Sequence, residues 1–587
     1  MSVDKLERAL KYVAKPARYC GGEWNMAVKQ PDEVELRFAF AFPDTYEIGM
    51  SHLGLKILYH ILNSRQDTYC ERLFAPWTDM EEIMRREDIP LFSLETKSSA
   101  ADFDIIGFTL QYEMCYTNIL NMLDLSGIPI ESRDRGEEHP FVIAGGPCAC
   151  NPFPLSPFID FFVLGDGEEI INEIADLYIN WKRSGQKRQE FIEAAAKLDG
   201  VFVPSKGTPA KKRIIKELDT AAFPKDIIVP FMGTVHDRVT LEIMRGCTRG
   251  CRFCQAGYIY RPVRERGKDT LIDTARCSID TTGYDEISLS SLSSGDYSEL
   301  APLIKSLISD MKQRRVSVSL PSLRIDSFAK EYIEDMPSVR KSGLTFAPEA
   351  GTQRLRDVIN KNVTEEDMLS AARSALEAGW NTVKLYFMIG LPTETEDDIR
   401  GIAELAEKVA REYYSIPRQM RAKGLKITVS TSSFVPKPHT PFQWVGQASI
   451  DELYQKQRML KSLLDKRYFS YNWHDPKLSM LEAVFARGGE ETSAVLAEAF
   501  RAGCRFDSWN ETFDFDKWRM AFEKCGLDME KMAQKQFEPD EPMPWDIISY
   551  GVTKEFLLEE YQKALREDVT DDCRLGCHAC GLQEVCL

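Results

Sequence analysis

The 587-residue sequence has no run of apolar residues long enough to cross a membrane, and its first residues, MSVDKLERALKYV, lack the apolar core of a signal peptide. Basic residues are also few, with 74 Lys and Arg against 91 Asp and Glu, which gives a net charge of −17. This balance argues against strong sequence-independent binding of nucleic acid, but it is compatible with a local basic patch. The length and the hydrophobic fraction of 43% predict a globular protein of more than one domain.

Cysteine, in contrast, is frequent, and three of the fifteen cysteines fall on one short loop. Cys247, Cys251 and Cys254 lie in the string RGCTRGCRFC, with the aromatic Phe253 just before the last of them. Three thiolates so close can hold three irons of a [4Fe–4S] cluster and leave one iron open to a small chelating molecule. The alternatives are a zinc loop and a chance cluster of thiols. Zinc usually takes four ligands in paired C-x2-C form, and no fourth Cys or His lies nearby in the sequence.

The C-x3-C-x2-C loop resembles the signature of the radical S-adenosylmethionine (SAM) superfamily. The resemblance implies that SAM binds the open iron through its amino and carboxylate groups, and that Phe253 is a candidate for contact with SAM. It also implies that an electron from the cluster cleaves SAM to methionine and a 5′-deoxyadenosyl radical. A reductant such as flavodoxin or ferredoxin is the partner that this chemistry implies. The clustered Cys spacings favour metal binding and a reducing cytoplasm over disulfides.

Strand-like and helix-like stretches alternate through residues 236–445. This alternation predicts a parallel sheet with helical crossovers, and six units make a partial (β/α)6 barrel that is open on one side. In β/α barrels the chemistry lies at the C-terminal ends of the strands, where the Cys loop falls. The predicted strands are 239–244, 286–290, 316–320, 344–347, 382–388 and 426–434. The predicted helices are about 269–282, 297–314, 327–337, 365–378 and 395–416.

The second predicted strand is followed by a polar turn, Ser293-Ser294-Gly295-Asp296. The turn matches the position of the superfamily's Gly-Gly-Glu motif, whose backbone and acidic group hold the SAM ammonium. The resemblance therefore implies SAM binding here, although the residues depart from the common form.

Three further turns follow the later predicted strands. Ser322 and Arg324, after the third strand, are candidates for contacts with the SAM ribose or carboxylate. Glu349 and Arg354 lie in a segment similar to the Glu-x-Gly-x-x-Arg-Leu segment of methylthiotransferase-type and B12-binding radical SAM enzymes, and are candidates for the SAM head group. Gly390 begins the string GLPTET, which is similar to the superfamily's GLPGET.

Residues 31–185, after an N-terminal extension of residues 1–30, predict a doubly wound α/β domain. Its predicted strands are 34–40, 104–110, 141–144 and 161–164, with helices near 52–63, 115–126 and 168–182. The turns that hold Gly145, Gly146, Gly165 and Gly167 follow the last two strands, and such turns let the backbone approach a bulky ligand. The order resembles the cobalamin (B12)-binding domain that precedes many radical SAM barrels. The whole chain resembles one B12-binding-type radical SAM family of undefined substrate.

One departure concerns the cobalt ligand. Cobalamin domains that bind cobalt through His carry Asp-x-His-x-x-Gly, whereas His52 and Gly54 stand at another spacing. His52 is therefore not expected to bind cobalt. The alternative to a cobalamin domain is a docking or substrate-gating module without a cofactor. Residues 186–235 are expected to be a linker to the barrel.

The C-terminal region, residues 446–565, is mostly helical by pattern, and its tail, residues 566–587, is a second metal candidate. Trp473, Trp509, Trp518 and Trp545 are expected to pack in a core. The tail's four cysteines are Cys573, Cys577, Cys580 and Cys586. Four thiolates so close suit zinc or an auxiliary [4Fe–4S] cluster, which binds substrate, relays electrons or donates sulfur.

These observations predict a radical SAM enzyme of unknown substrate: a small molecule, a peptide or RNA. If cobalamin is bound, methyl transfer to an unactivated carbon is the leading reaction. Without cobalamin, the Cys-rich tail favours methylthiolation of RNA or a ribosomal protein, or another oxidative rearrangement. Two further alternatives are a non-catalytic iron–sulfur scaffold or redox sensor, and a B12-dependent regulator with a vestigial barrel.

Overall fold

The N-terminal part of the chain forms a six-stranded sheet, in a computed structural model that describes residues 3–319 and 344–586. Its strands are Leu36–Phe42 (β1), Thr68–Phe74 (β2), Ile105–Thr109 (β3), Phe141–Gly145 (β4), Phe161–Val163 (β5) and Val201–Phe202 (β6). The order is β2-β1-β3-β4-β5-β6, with β1 to β5 parallel and β6 antiparallel to β5. The order β2-β1-β3-β4-β5 is that of a flavodoxin-like doubly wound sheet, so the predicted fold of this region is confirmed.

Strand β2 is missing from the sequence prediction, because its sequence, TYCERLF, carries two charged residues in its middle. All seven residues are buried nonetheless. Glu71 accepts a hydrogen bond from the Ser93 hydroxyl at 2.6 Å, and Arg72 forms an ion pair with Glu95 at 2.6 Å. Charges can be buried when they are paired and hydrogen-bonded in this way.

A second group of parallel strands carries the predicted barrel. The remaining strands are Ala210–Lys211 (β7), Val239–Glu242 (β8), Met244–Arg245 (β9), Arg264–Glu265 (β10), Glu286–Ser290 (β11), Ser317–Ser319 (β12), Leu344–Glu349 (β13), Thr382–Ile389 (β14), Lys426–Ser433 (β15), Phe469–Trp473 (β16) and Ile548–Ser549 (β17). The described strands of the barrel form two parallel sheets, β12-β11-β8 and β13-β14-β15-β16. Six of these strands were predicted. Strand β16 extends the sheet to residue 473, beyond the expected end of the barrel at 445.

Helices cover the sheets and fill the rest of the chain. In the N-terminal part they are Val3–Leu10, Tyr46–Gly49, Leu53–Ser64, Thr78–Glu87, Tyr116–Leu125, Ile170–Ser184 and Arg188–Ala195. In the barrel region they are Ala256–Ile259, Lys268–Thr282, Leu300–Arg314, Gln353–Val358, Glu365–Glu377, Glu396–Ser415 and Ile450–Leu463. The last five are Pro476–Arg487, Glu491–Arg501, Phe515–Cys525, Met529–Gln534 and Lys554–Leu565. None of the helices that the structure describes has the length and apolar content to span a bilayer.

The segment expected to be a linker is structured. Residues 186–235 contribute the helix Arg188–Ala195, the edge strand β6, and β7, which pairs with β17 near the C-terminus. The predicted helix at 327–337 lies outside the described residues.

The C-terminal helices do not form a core of their own. Leu496 and Trp518, for example, share one buried apolar cluster with Ile119 and Val142 of the N-terminal part. The Asn151 side chain also donates to the carbonyl oxygen of Ala486 at 3.0 Å. These helices therefore cover one face of the doubly wound sheet, and the boundary expected at residue 446 does not separate an independent domain.

The four tryptophans expected in a core differ in their burial. Trp518 and Trp545 are each 1% exposed, and their indole nitrogens donate to side-chain oxygens of Asp507 and Gln443. Trp509 is partly buried against the same cluster as Trp518. Trp473 contradicts the expectation, because it ends strand β16 at the sheet edge and is 42% exposed.

Candidate functional site

The Cys loop lies at the carboxyl end of β8, where β9 and β10 pair and bring its two ends together. Gly246 has a φ of +87°, and a Cβ at that position would lie 2.6 Å from the carbonyl oxygen of Pro262, so glycine is required. The N–H of Cys254 donates to the carbonyl of Cys251 at 3.1 Å, and the N–H of Gly257 donates to the carbonyl of Cys254 at 3.0 Å. These bonds fold the loop into successive tight turns.

The structure brings the three predicted cluster ligands together. Burial and, to a smaller extent, the nearby Cys251 and Cys247 thiols raise the pKa of Cys254 to about 12. In the part of the chain that the structure describes, no three His, Cys, Asp or Glu side chains lie close enough together to bind a single metal ion. A four-iron cluster takes each thiolate at a different iron, so its ligands stand farther apart. Three thiols on one loop suit such a cluster.

A buried arginine anchors the loop from behind. The Arg252 side chain donates to Glu560 at 3.1 Å and to the carbonyl oxygens of Val358 and Asp568 at 3.0 and 2.8 Å. Its backbone N–H also donates to the carbonyl of Ile359 at 3.0 Å. The middle of the Cys loop is thus fixed to both the barrel and the C-terminal segment.

Phe253 and Glu349, both expected near SAM, are connected through Lys361. The Lys361 ammonium lies 6.0 Å from the centre of the Phe253 ring and 3.2 Å from Oε1 of Glu349. Its charge also opposes the rise in the pKa of Cys254. Glu349 has a φ of +67°, which is unusual for a residue with a side chain and typical of functional sites. These residues therefore stand beside the Cys loop.

Asp296, expected to hold the SAM ammonium, is bound to arginines in the structure. The Ser293 hydroxyl donates to it at 2.6 Å, while Arg249 and Arg574 donate at 2.7 and 2.8 Å. Burial raises the pKa of Asp296, but the bonds from Arg249 and Ser293 outweigh it and lower the pKa to about 2. Ser294 is buried as well. The turn after β11 is thus close to the Cys loop through Arg249.

Arg354 and Gly390 are hydrogen-bonded to other residues of the protein. Arg354 donates to the carbonyl of Thr393 at 3.0 Å and to Glu567 at 3.2 Å, and also pairs with Asp398. The N–H of Gly390 donates to Oε1 of Glu394 at 2.9 Å. Neither contact is part of the Cys-loop network. Ser322 and Arg324 lie outside the described residues.

A cavity of about 410 Å³ lies between the doubly wound sheet and the barrel. All four glycines expected to line a cobalamin crevice border it, namely Gly145, Gly146, Gly165 and Gly167. From the barrel side it is bordered by Arg245 and Gly246, directly before the Cys loop. The cavity therefore connects the carboxyl edge of one sheet to the base of the candidate cluster site.

Arg245 joins the two sides of the cavity. Its guanidinium contacts Asp166 at 2.8 Å and Glu168 at 2.7 Å in the N-terminal part, and Glu242 at 3.0 Å in β8. Arg264 pairs with Asp166 from the same side. Sequence reasoning missed Arg245, although its position directly before Gly246 and the first cysteine was a usable signal.

His52 borders the cavity and is already hydrogen-bonded. Its Nδ1 accepts from the N–H of Leu55 at 3.1 Å and so caps the helix Leu53–Ser64, and its ring also bonds to Gln111. Burial lowers its pKa to about 4. These bonds support the expectation that His52 does not bind cobalt.

Cys150 also reaches the Cys loop, which the sequence did not suggest. Gln255, the residue after Cys254, donates to the Cys150 sulfur at 3.1 Å and to the carbonyl of Pro438 at 3.1 Å. Cys148 and Cys150 are both buried, as small apolar side chains often are.

The Cys-rich tail packs against the Cys loop. The N–H of Cys573 donates to the carbonyl of Thr248 at 3.2 Å. The Cys586 and Cys580 thiols contribute to the raised pKa of Cys573, and Cys580 and Cys577 contribute to that of Cys586. The four tail thiols are therefore neighbours.

Two family models match the chain over regions that together exceed half its length. The model of the Radical SAM superfamily matches residues 241–406, and the model named Radical SAM proteins, N-terminal, matches residues 54–204. The chain belongs to the radical SAM superfamily. It is therefore an enzyme of this superfamily, and the expected [4Fe–4S] cluster and SAM are its cofactors.

Three similar proteins illustrate its relatives. An uncharacterized protein of Methanocaldococcus jannaschii is 28% identical over 493 residues, 83% of this chain and 97% of the relative. An uncharacterized methyltransferase of Pyrococcus horikoshii is 22% identical over 47% of this chain and 60% of the relative. The radical SAM methyltransferase TsrM of Kitasatospora setae, solved with cobalamin and a [4Fe–4S] cluster, aligns with a TM-score of 0.49 at 14% identity over 70% of this chain and 77% of that one.

Proposed function

We propose that this radical SAM enzyme is a cobalamin-dependent methyltransferase. The observation that carries the proposal is the cavity that joins the glycine turns after β4 and β5 to Arg245 and Gly246. A cofactor seated against those turns faces the Cys loop, so that both cofactors and the substrate share one cavity. The resemblance to an uncharacterized methyltransferase of Pyrococcus horikoshii supports the same reaction class.

The lining of the cavity fits a large, flat cofactor. The four glycines put backbone instead of side chains on its surface. Gly146, with a φ of +106°, cannot be replaced without strain, because a Cβ there would lie 2.9 Å from the carbonyl oxygen of Leu110. The opposite wall includes apolar side chains such as Met244 and Tyr260.

The protein's own residues have distinct roles in this proposal. Cys247, Cys251 and Cys254 hold the cluster, and Arg245 fixes the loop base relative to the glycine turns. When bound, the cluster supplies the electron that cleaves SAM, and cobalamin carries the methyl group. The residues around the cavity exclude water and orient the reactants.

We further propose that a flavodoxin- or ferredoxin-class protein reduces the enzyme in the cytoplasm. The clustered cysteine spacings favour metal ligation in a reducing compartment.

The test is cofactor retention after anaerobic reconstitution with iron, sulfide and hydroxocobalamin. Leu58 borders the cavity, so Leu58→Trp is expected to lower bound cobalamin at least tenfold while the iron content stays unchanged. Leu177→Trp, a half-buried leucine packed in the same core but away from the cavity, is the matched control. Cobalamin retained equally by both variants, or absent from wild type with a full cluster, overturns the cobalamin assignment.

The reaction class is read from the products. With SAM and dithionite, a methyltransferase of this kind yields S-adenosylhomocysteine in addition to 5′-deoxyadenosine. Methylthiolation remains the second candidate because the Cys-rich tail lies directly against the Cys loop. Loss of sulfide from the tail during turnover would favour that candidate over methyl transfer.

A further inference from the structure

The C-terminal tail and the Cys loop contact each other through both backbone and side chains. Besides the bond from Cys573 to Thr248, the Thr248 hydroxyl donates to Asp572 at 2.8 Å. Arg249 forms an ion pair with the same carboxylate at 2.9 Å. The residues that follow Cys247 are thus bonded to the residues at and before Cys573, so the first cysteines of the two groups lie close together.

Both ends of the tail are fixed. At its start, the Asn360 side chain donates to the carbonyl of Thr570 at 3.0 Å and accepts from the Thr570 N–H at 2.8 Å. Near its end, the N–H of Thr553 donates to the carbonyl of Cys580 at 3.0 Å. The tail is therefore held against the barrel at its start and against the beginning of the helix Lys554–Leu565 near its end.

One buried guanidinium lies between the Cys loop and the tail. Arg261 donates to the carbonyl of Gly257, just after the Cys loop, at 3.0 Å. Burial lowers the pKa of Arg261, but Tyr258 and the tail thiols Cys580 and Cys573 outweigh it and raise the pKa. The side chain is 9% exposed and packs over the Tyr258 ring at 4.8 Å. A cation so placed stabilises negative charge on the tail thiolates.

The two groups differ in their access to solvent. Cys573, Cys577 and Cys586 are exposed, whereas the three thiols of the Cys loop are only partly so. The tail therefore lies on the outer side of the loop, where a protein reductant can approach it.

We propose that Cys573, Cys577, Cys580 and Cys586 hold a second iron–sulfur cluster that relays electrons to the cluster of the Cys loop. Four thiolates within one short segment are the usual ligand set of such a cluster. In each transfer, a flavodoxin- or ferredoxin-class reductant loses one electron, the tail cluster gains it and passes it on, and the loop cluster is reduced. The protein exchanges no proton and breaks no bond. The proposal rests on the radical SAM chemistry of the loop and is independent of cobalamin.

The experiment compares two reductants in the full-length protein. The double variant Cys577→Ser, Cys586→Ser removes two tail ligands, and Cys20→Ser, Cys525→Ser is the control with two cysteines outside both groups. Wild type and control are expected to hold about eight irons per chain and the tail variant about four. Dithionite is small enough to reduce the loop cluster directly. With dithionite, the rate of 5′-deoxyadenosine formation by the tail variant should therefore stay within twofold of the wild-type rate. The rate with reduced flavodoxin should fall at least tenfold.

Three outcomes overturn the relay. The first is zinc in place of iron at the tail of wild type, measured by elemental analysis. The second is an equal fall in the rate of 5′-deoxyadenosine formation with both reductants, which indicates a structural role for the tail. The third is an unchanged rate with flavodoxin despite the loss of four irons. Cobalamin content, recorded on the same samples, reports separately on the proposed methyltransferase.

Discussion

Arg574, in the C-terminal tail, donates a hydrogen bond of 2.8 Å to Oδ1 of Asp296, in the turn after β11. Asp296 is the carboxylate that the sequence resemblance assigns to the SAM ammonium. A residue from the end of the chain therefore bonds to the group that SAM is expected to use. Arg249, in the Cys loop, donates to the same carboxylate at 2.7 Å.

This contact predicts that Arg574 competes with SAM. Arg574→Gln is expected to lower the Kd for SAM about two- to fivefold, because a half-exposed ion pair of this kind is worth roughly 0.2–1 kcal/mol. Isothermal titration calorimetry of the reconstituted protein with SAM measures this Kd. Arg566→Gln, which removes a surface pair with Asp568, is the control and should leave the Kd unchanged. Weaker SAM binding by the Arg574 variant would show that the arginine belongs to the binding site.

Substitution of a cluster ligand in the Cys loop is expected to give the clearest loss of function. Cys251→Ala removes one of three cluster ligands, so bound iron at the loop and 5′-deoxyadenosine formation should both be lost, with a fall of at least a hundredfold in rate. Cys277→Ala is the control, because Cys277 is a partly exposed cysteine of the same barrel on the helix Lys268–Thr282. Dithionite-driven SAM cleavage that persists in Cys251→Ala contradicts the assignment of the loop.

Arg245 is expected to form the main ion pairs between the N-terminal part and the barrel across the cavity. Arg245→Met leaves the buried carboxylate of Glu168 without its arginine and leaves Asp166 with Arg264 alone, and breaking a buried pair typically costs about 3–5 kcal/mol. The apparent Tm should fall and cobalamin retention should fall with it, while Arg245→Lys should restore part of both. Arg213→Met, which removes pairs to the more exposed Glu169 and Glu173, should change the Tm far less. Equal Tm losses in the Arg245 and Arg213 variants would contradict this role.

The sequence predicts the site best where the chemistry depends on local spacing. The Cys loop and the glycines after β4 and β5 were found because a short string fixes both the residues and their neighbours. The six barrel strands were found because apolar runs alternate with helical ones. Strand β2 was not found, since Glu71 and Arg72 are buried there only because distant side chains pair with them.

Long-range contacts explain the remaining differences. Arg354 lies in a recognisable motif, and it pairs with Asp398 and Glu567, two partners that the motif does not indicate. Similarly, the C-terminal helices look independent by pattern, yet their apolar faces are buried against the N-terminal sheet. Local sequence gives no signal for which of several apolar surfaces a helix will cover.

His439 provides a pH prediction from a buried neutral imidazole. Its Nε2 lies 3.0 Å from the carbonyl oxygen of Cys150, and burial lowers its pKa to about 4; the bond to Cys150 and the charge of Asp546 oppose this shift, while Lys212 adds to it. The unfolded chain, with a histidine pKa of about 6.5, binds more protons between these values, so acidification destabilises the fold. The free energy of unfolding falls by about 2 kcal/mol from pH 7 to pH 5, and this stability is fully regained above about pH 6.5.

His439→Asn tests this sign and size. Asparagine tolerates the φ of +58° at this position and does not titrate in this range. The variant should be less stable than wild type at pH 7, because it loses the bond to Cys150, but its Tm should fall less between pH 7 and pH 5. Calorimetry of both proteins at the two pH values measures the difference. Parallel falls in Tm would mean that His439 accepts a proton in the folded protein as readily as in the unfolded chain, and the burial argument would then be wrong.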